Sequence, residues 1–113
     1  MAPRADGLPR SSFLVLLALA EQPRHGLGIV DHVEHATHGS VKLGPGTLYG
    51  TLQKLVSIGH IRETAMTPDP ADHDPRRRYY RITAKGERAL KDEAARLRTL
   101  VDAAVAVSIL GER

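Results

Sequence analysis

The stretch Pro45-Gly46-Thr47-Leu48-Tyr49-Gly50-Thr51-Leu52-Gln53-Lys54-Leu55-Val56-Ser57-Ile58-Gly59 decides how this chain is read. Proline at a first helical position is pre-shaped for a helix start, because its missing N–H had no partner there. Gly44 ahead of it is an acceptable N-cap, and Gly59 ends the element. Leu48, Leu52, Leu55, Val56 and Gly59 recur on one face at the helical repeat, with Gly46, Gly50, Gln53 and Ser57 opposite. Thr47, Tyr49 and Lys54 fall on the flanks. A helix over about 45–58 is therefore predicted, apolar inward and small and polar outward. A mid-helix glycine such as Gly50 costs about 1 kcal/mol relative to alanine. Close approach of another molecule, or packing against the first helix, would account for it.

Upstream, Ser11 or Ser12 can cap a first helix running to about Glu21, which Pro23 ends. Its run from Phe13 to Ala20 is apolar on nearly every side, and a partner subunit is expected to cover part of it. The turn Gln22 to Gly26 leads to a second helix of roughly Leu27 to Thr37. Leu27, Val30, Val33 and Ala36 are read as its inward residues, and Gly39 as its C-cap. A short extended piece, Ser40 to Leu43, follows.

Downstream lie two extended segments, Ile61 to Met66 and Arg77 to Thr83, joined by Thr67-Pro68-Asp69-Pro70-Ala71-Asp72-His73-Asp74-Pro75. Three prolines and three aspartates make that joint a turn-rich tip. From Ala84 a long helix runs to about Leu110, on which Leu90, Ala94, Leu97, Val101, Ala104 and Ser108 form a heptad-like seam widened by Leu100, Val105 and Val107. So much apolar surface on a terminal helix calls for a second subunit or the first helix. Phe13, Leu90, Leu97, Val101, Ala104 and Val105 are the expected dimer contacts.

The expected fold is mainly α with a small β-hairpin, a winged helix-turn-helix followed by a dimerisation helix. Its divisions are a loose arm over 1–10, the winged domain over 11–83 and the dimerisation helix over 84–113. A chain of 113 residues holds one such domain, and 42% apolar residues suffice for its core. With aromatics at 4%, no Trp and one Phe, that core is aliphatic. The absence of Cys excludes disulfides, thiolate catalysis and Cys-ligated zinc.

Arg4 and Arg10 followed by eight apolar residues resemble a short signal peptide. Eight residues are too few to cross a bilayer, and removing them would strip the other helices of a core partner. A cytoplasmic protein without membrane contact is expected.

Charge distribution points to the partner. The net charge of +3 is mild, but residues 76–91 carry seven basic residues (Arg76, Arg77, Arg78, Arg81, Lys85, Arg88, Lys91) against Glu87 alone. Such a segment suits a polyanion. A helix entering a DNA major groove needs a slim N-terminal half. The outward face of the 45–58 helix has that character. Gln53 can pair with adenine, Thr47 can meet a phosphate or a thymine methyl, and Tyr49 can reach the backbone with its hydroxyl. Thr47, Tyr49, Gly50, Gln53, Lys54, Arg76, Arg77 and Arg81 are the candidate DNA contacts, with the wing over about 67–77 on flanking DNA. Strand alternation puts Arg76, Arg78, Tyr80 and Ile82 on one face, turned partly inward, and leaves Arg77 and Arg81 as the cleaner phosphate contacts. No phosphate loop, nucleophile elbow or paired carboxylates suggest an enzyme, and no cofactor is expected. A winged helix serving only protein–protein contact is the alternative. His32, His35 and His38 recur every three residues without a completing carboxylate or thiolate, and are read as a polar face.

Over Ser12 to Gly86 the chain resembles the DNA-binding domain of the PadR family of bacterial transcriptional regulators, in its shorter subgroup with a single C-terminal helix. The resemblance is carried by His25-Gly26-Leu27-Gly28-Ile29, Pro45-Gly46-Thr47-Leu48-Tyr49 with Leu52 and Leu55, Gly59-His60-Ile61, Arg78-Tyr79-Tyr80-Arg81-Ile82-Thr83 and Gly86. It implies a homodimeric repressor whose terminal helix crosses to the partner, with a small-molecule effector at the dimer interface in some members. Leu27 replaces the family's usual tyrosine, Gly44 a frequent serine, and Gly50 a larger residue. With no Trp, planar drugs have no indole to stack on.

Overall fold

The computed structural model describes residues 7–67, 74 and 76–107. Helix α1 spans Arg10–Glu21, and no serine side chain caps it. Ser12 is buried, and Ser11 Oγ instead accepts a hydrogen bond from Thr51 Oγ1 at 3.3 Å. Residues 7–9 of the expected arm are partly covered, and the Leu8 amide donates to Glu93 Oε1 at 3.2 Å.

A two-residue strand β1, Arg24–His25, follows α1 directly. The short strand expected at Ser40 to Leu43 does not form there. Arg24 Nε donates to the Ala18 carbonyl at 2.7 Å and Arg24 Nη2 to Glu21 at 2.9 Å, which holds the chain after Pro23 against α1. That anchoring lays Arg24 and His25 along a later strand, whereas Val41 only donates its amide to Thr37 Oγ1.

Helix α2 covers Gly26–Ala36. Ile29 and Val33 are buried and Val30 packs on the core, while Leu27 is 62% exposed and Ala36 faces outward. Val30 and Val33 thus lie inward as expected from sequence, and Ile29 stands in place of Leu27 and Ala36. Thr37 is the C-cap rather than the expected Gly39, which follows two residues on at φ +81° and donates its amide to the Glu34 carbonyl at 2.7 Å.

Helix α3, Pro45–Ser57, has Pro45 in its first turn and buries Leu48, Thr51, Leu52 and Leu55. Val56, expected inward, is 43% exposed and lines a surface groove, because Thr51 takes the inner side toward α1. Strands β2 (Ile61–Thr64) and β3 (Tyr79–Ile82) are shorter than expected. They pair antiparallel, and β1 pairs along the other edge of β3, giving the sheet order β1-β3-β2. Ile61 lies opposite Ile82, Arg62 opposite Arg81, Glu63 opposite Tyr80 and Thr64 opposite Tyr79. Side chains of opposite residues share a sheet face, so Ile61 and Ile82 reach the core while Arg62 and Arg81 turn away. Most of the loop between β2 and β3, the expected wing tip, lies outside the described residues.

The core is aliphatic, built around Val15, Leu16, Ile29, Val33, Leu52, Leu55 and Ile61. Helix α4, Ala84–Ala106, is about 35 Å long at 1.5 Å per residue. Thr83 caps it by accepting from the Gly86 amide at 3.1 Å while its hydroxyl donates to the Gly59 carbonyl at 2.6 Å. Gly86 packs so closely on the His60 carbonyl that a Cβ there would collide with backbone. Leu90 packs on the core, and buried Glu93 pairs with Arg96. Farther along, Leu100 is 53% and Val107 67% exposed. Ser108 of the expected seam and the expected helix end at Leu110 lie outside the described residues.

Candidate nucleic-acid interface

Helix α3 turns Pro45, Gly46, Thr47, Tyr49, Gly50, Gln53 and Lys54 to solvent. Its inner residues leave no choice in this: once Leu48, Thr51, Leu52 and Leu55 enter the core, the rows between them must point out. Nothing lies within 4 Å of where a Cβ on Gly50 or Gly46 would sit. Packing against α1 therefore does not explain Gly50, and of the two explanations available from sequence only approach by another molecule remains.

The start of β3 is organised by Asp74. Its carboxylate accepts from Arg76 Nε at 3.2 Å, Arg76 Nη2 at 3.1 Å and the Arg76 amide at 2.9 Å. Its carbonyl accepts from the Arg77 amide at 2.9 Å, and Arg77 Nε lies 4.0 Å from the same carboxylate. Exposed ion pairs of this kind are worth about 0–1 kcal/mol, so an incoming phosphate can replace Asp74 at little cost. Arg78 leans the other way, 3.8 Å from Glu63 on β2.

Helix and wing meet at Tyr49, which is 59% exposed. On one side of it a groove of about 350 Å³ is lined by His25, Leu27, Arg76, Arg77, Arg78 and Tyr80. On the other, a groove of about 340 Å³ is lined by Leu52, Gln53, Val56, Glu63, Arg78 and Tyr80. Tyr49, Gln53, Arg76 and Arg77 are thus brought to one continuous surface, with Thr47, Gly50 and Lys54 on the exposed side of the same helix. Arg78, read from sequence as turned partly inward, lines both grooves with its side chain 74% exposed. Three consecutive arginines were the signal for it, and alternation put it on the side of Tyr80 as both grooves do; what does not hold is the inward reading of that side taken from Ile82, since it opens to solvent at Arg78.

Arg81 is set apart. It sits in mid-strand opposite Arg62 and lines a groove of about 540 Å³ with Leu19, Pro23, Arg62 and Glu87, on the side of the sheet away from Tyr49. The expectation that Arg77 and Arg81 share one surface does not hold.

His25 contributes more than a turn. Its Nδ1 lies 3.2 Å from the Gly28 amide nitrogen at the start of α2, and its Nε2 lies 3.0 Å from Arg77 Nη1. Burial, and after it Arg77, hold its pKa below 6.5 against the pull of Asp31 and Asp74. Burial likewise lowers His32, helped by Arg24, and His60, helped by Lys85. Burial and then Glu63 push the Tyr80 hydroxyl above 10. Among the described residues no three His, Asp or Glu side chains gather to hold a metal ion, and His35 and His38 are exposed.

The residues expected at a dimer contact divide into two groups. Leu90 is committed to the core of its own chain, whereas Phe13, Leu97, Ala104 and Val105 are half-buried and Val101 is 42% exposed. Leu17 on α1 adds 38% exposure, and Leu100 lies next to Val101. Among the described residues no helix is long and apolar enough to cross a membrane.

Residues 15–92 match the family model of the transcriptional regulator PadR-like family. The chain is 34% identical over 84 residues to a 37.1 kDa protein carried by a transposon of Streptomyces fradiae. The match takes in 74% of this chain but only 22% of that protein's length. Among solved structures, a PadR family transcription regulator from Clostridium difficile superposes with a TM-score of 0.70 at 19% identity, covering 91% of this chain and all of the other. A transcriptional regulator from Clostridium thermocellum gives 0.69 at 22% identity, covering 82% and 84%. At these identities the superpositions speak for the fold.

Proposed function

This chain belongs to the PadR-like family of transcriptional regulators, and on that premise we propose that it is a repressor binding a near-palindromic operator as a homodimer. In this reading α3 enters the major groove. Gln53 and Thr47 read base edges, Gly50 lets the helix backbone come close, and Tyr49 and Lys54 hold phosphates. Arg76, Arg77 and Arg78 grip the strands beside it. Arg81, on the far side of the sheet, contributes to the field rather than to a contact. The observation that carries the reading is the surface around Tyr49, where a slim, nearly uncharged helix face and three wing arginines meet. The exposed apolar side chains of Leu17, Leu100 and Val101 support a second copy as the partner, since they are poorly suited to water. An effector pocket of the kind the family resemblance implies would form where two α4 helices meet.

Fluorescence anisotropy with duplex DNA across a salt series tests the reading. Each phosphate neutralised contributes a slope of roughly −0.9 in log K against log salt. With several arginines engaged per subunit, affinity should fall steeply between low and physiological salt. Arg77→Ala should weaken all sequences uniformly and flatten the slope by about 1 for each phosphate no longer neutralised. Gln53→Ala should change sequence preference instead. Flat salt dependence would reject DNA as the partner.

A further inference from the structure

The imidazole of His25 faces two donors and can serve only one. The Gly28 amide lies in the first turn of α2, where helix N–H groups lack helical acceptors. Arg77 Nη1 carries hydrogens and no lone pair. Their distances to Nδ1 and Nε2 are 3.2 and 3.0 Å, both within hydrogen-bond reach. A neutral imidazole carries a proton on one nitrogen and a lone pair on the other. The Nε2–H tautomer therefore caps α2 and turns a hydrogen toward Arg77. The Nδ1–H tautomer accepts from Arg77 and leaves the Gly28 amide uncapped. A protonated ring accepts from neither.

The surroundings fix the ring and keep it neutral near pH 7. Tyr79 holds it edge-on, with centroids 5.2 Å apart and planes at 87°. Arg77 and Asp74 face it from the wing and Asp31 from α2, while the Tyr49 hydroxyl of α3 borders the adjoining Gly26.

We propose that His25 docks Arg77 in the DNA-free protein through its Nδ1–H tautomer and releases it to a backbone phosphate by changing to the Nε2–H tautomer, which caps α2. The proposal rests on the DNA-binding reading above. In the free protein the arginine contact is the shorter of the two and charge-assisted, and it wins over a neutral amide. A phosphate offers Arg77 a full negative charge, which a neutral ring nitrogen cannot match. Once the guanidinium leaves, the proton departs Nδ1 to water and another arrives at Nε2, with no change in net charge. The new Nε2–H can donate to the same phosphate. His25 is thus a positioning residue that tightens the start of α2 as the wing engages.

Imidazole ¹⁵N chemical shifts at pH 7.5 report the tautomer directly. His25→Asn, whose side-chain oxygen can keep the cap, identifies the His25 signals by their loss. The free protein should show His25 protonated at Nδ1. Arg77→Ala should show it protonated at Nε2 with no DNA present, and a mixed-sequence duplex added to the parent protein at low salt should produce the same shift. A free ring already protonated at Nε2, unchanged by Arg77→Ala, would overturn the proposal. So would a duplex that binds by anisotropy yet leaves the ring protonated at Nδ1. A duplex that does not bind at all would remove the DNA-binding reading and the release step together, while the Arg77→Ala comparison would still decide the docking contact.

Discussion

Gly50 separates stability from function at a single atom. A methyl group there meets no neighbour within the chain, so Gly50→Ala keeps the fold and gains helix propensity. Thermal unfolding should rise by the equivalent of about 1 kcal/mol. The same methyl stands on the face offered to DNA, so affinity for the operator should fall in anisotropy measurements. Equal affinity would mean that α3 does not approach a duplex at that residue. The partly and fully buried histidines set a second expectation at this scale. His25, His32 and His60 have pKa values lowered from 6.5 by burial, so the unfolded chain binds protons more readily than the folded one. Stability gained from keeping these rings neutral is present above about pH 6.5 and is lost as pH falls below it. The melting temperature should therefore be lower at pH 5.5 than at pH 7.5, and His60→Gln should reduce that difference.

Among the elements, α4 carries two roles along its length. Its first turns are part of the domain, tied by the Thr83 cap, the Gly86 contact with His60, Leu90 and the Glu93–Arg96 pair. Its last turns expose Leu100, Val101 and Val107. Charges placed on the exposed turns should separate subunits without unfolding them. Leu100→Asp with Val101→Asp should give a folded monomer by light scattering and circular dichroism, with operator affinity reduced by at least tenfold. A dimer that survived both charges would move the interface elsewhere. The three-stranded sheet plays the corresponding part for the wing, since β1 carries His25 to the edge of β3 just where Arg77 enters it.

For the whole molecule, two-fold symmetry sets the geometry of the target. If α4 joins two copies, their α3 helices face the same side of a duplex about one helical turn apart, roughly 34–36 Å. An operator selected from random sequence should be a near-palindrome with that spacing. Inserting about 5 base pairs between its halves, half a helical turn, should reduce binding to the level of one half-site. Unchanged binding after the insertion would mean that the two subunits do not engage DNA together.

Sequence alone determined the elements that depend on local chemistry. Pro45 and the apolar row of Leu48, Leu52 and Leu55 specify α3, Gly39 and Gly59 mark stops, and the Pro- and Asp-rich loop marks a hairpin. What it did not determine depends on contacts between distant residues. The short strand moved to Arg24 and His25 because Tyr79 and Tyr80 supply their partners more than fifty positions away. Leu27 turned outward and Ile29 inward because α1 and α3 pack against that side of α2. Arg78 opens onto the Tyr49 surface beside Tyr80, and Arg81 lies across the sheet opposite Arg62, because it is the docking of the sheet beside α3 that decides which of its faces meets Tyr49. Periodicity reports which side of an element is apolar; the partner packed against it decides which residues that side brings together.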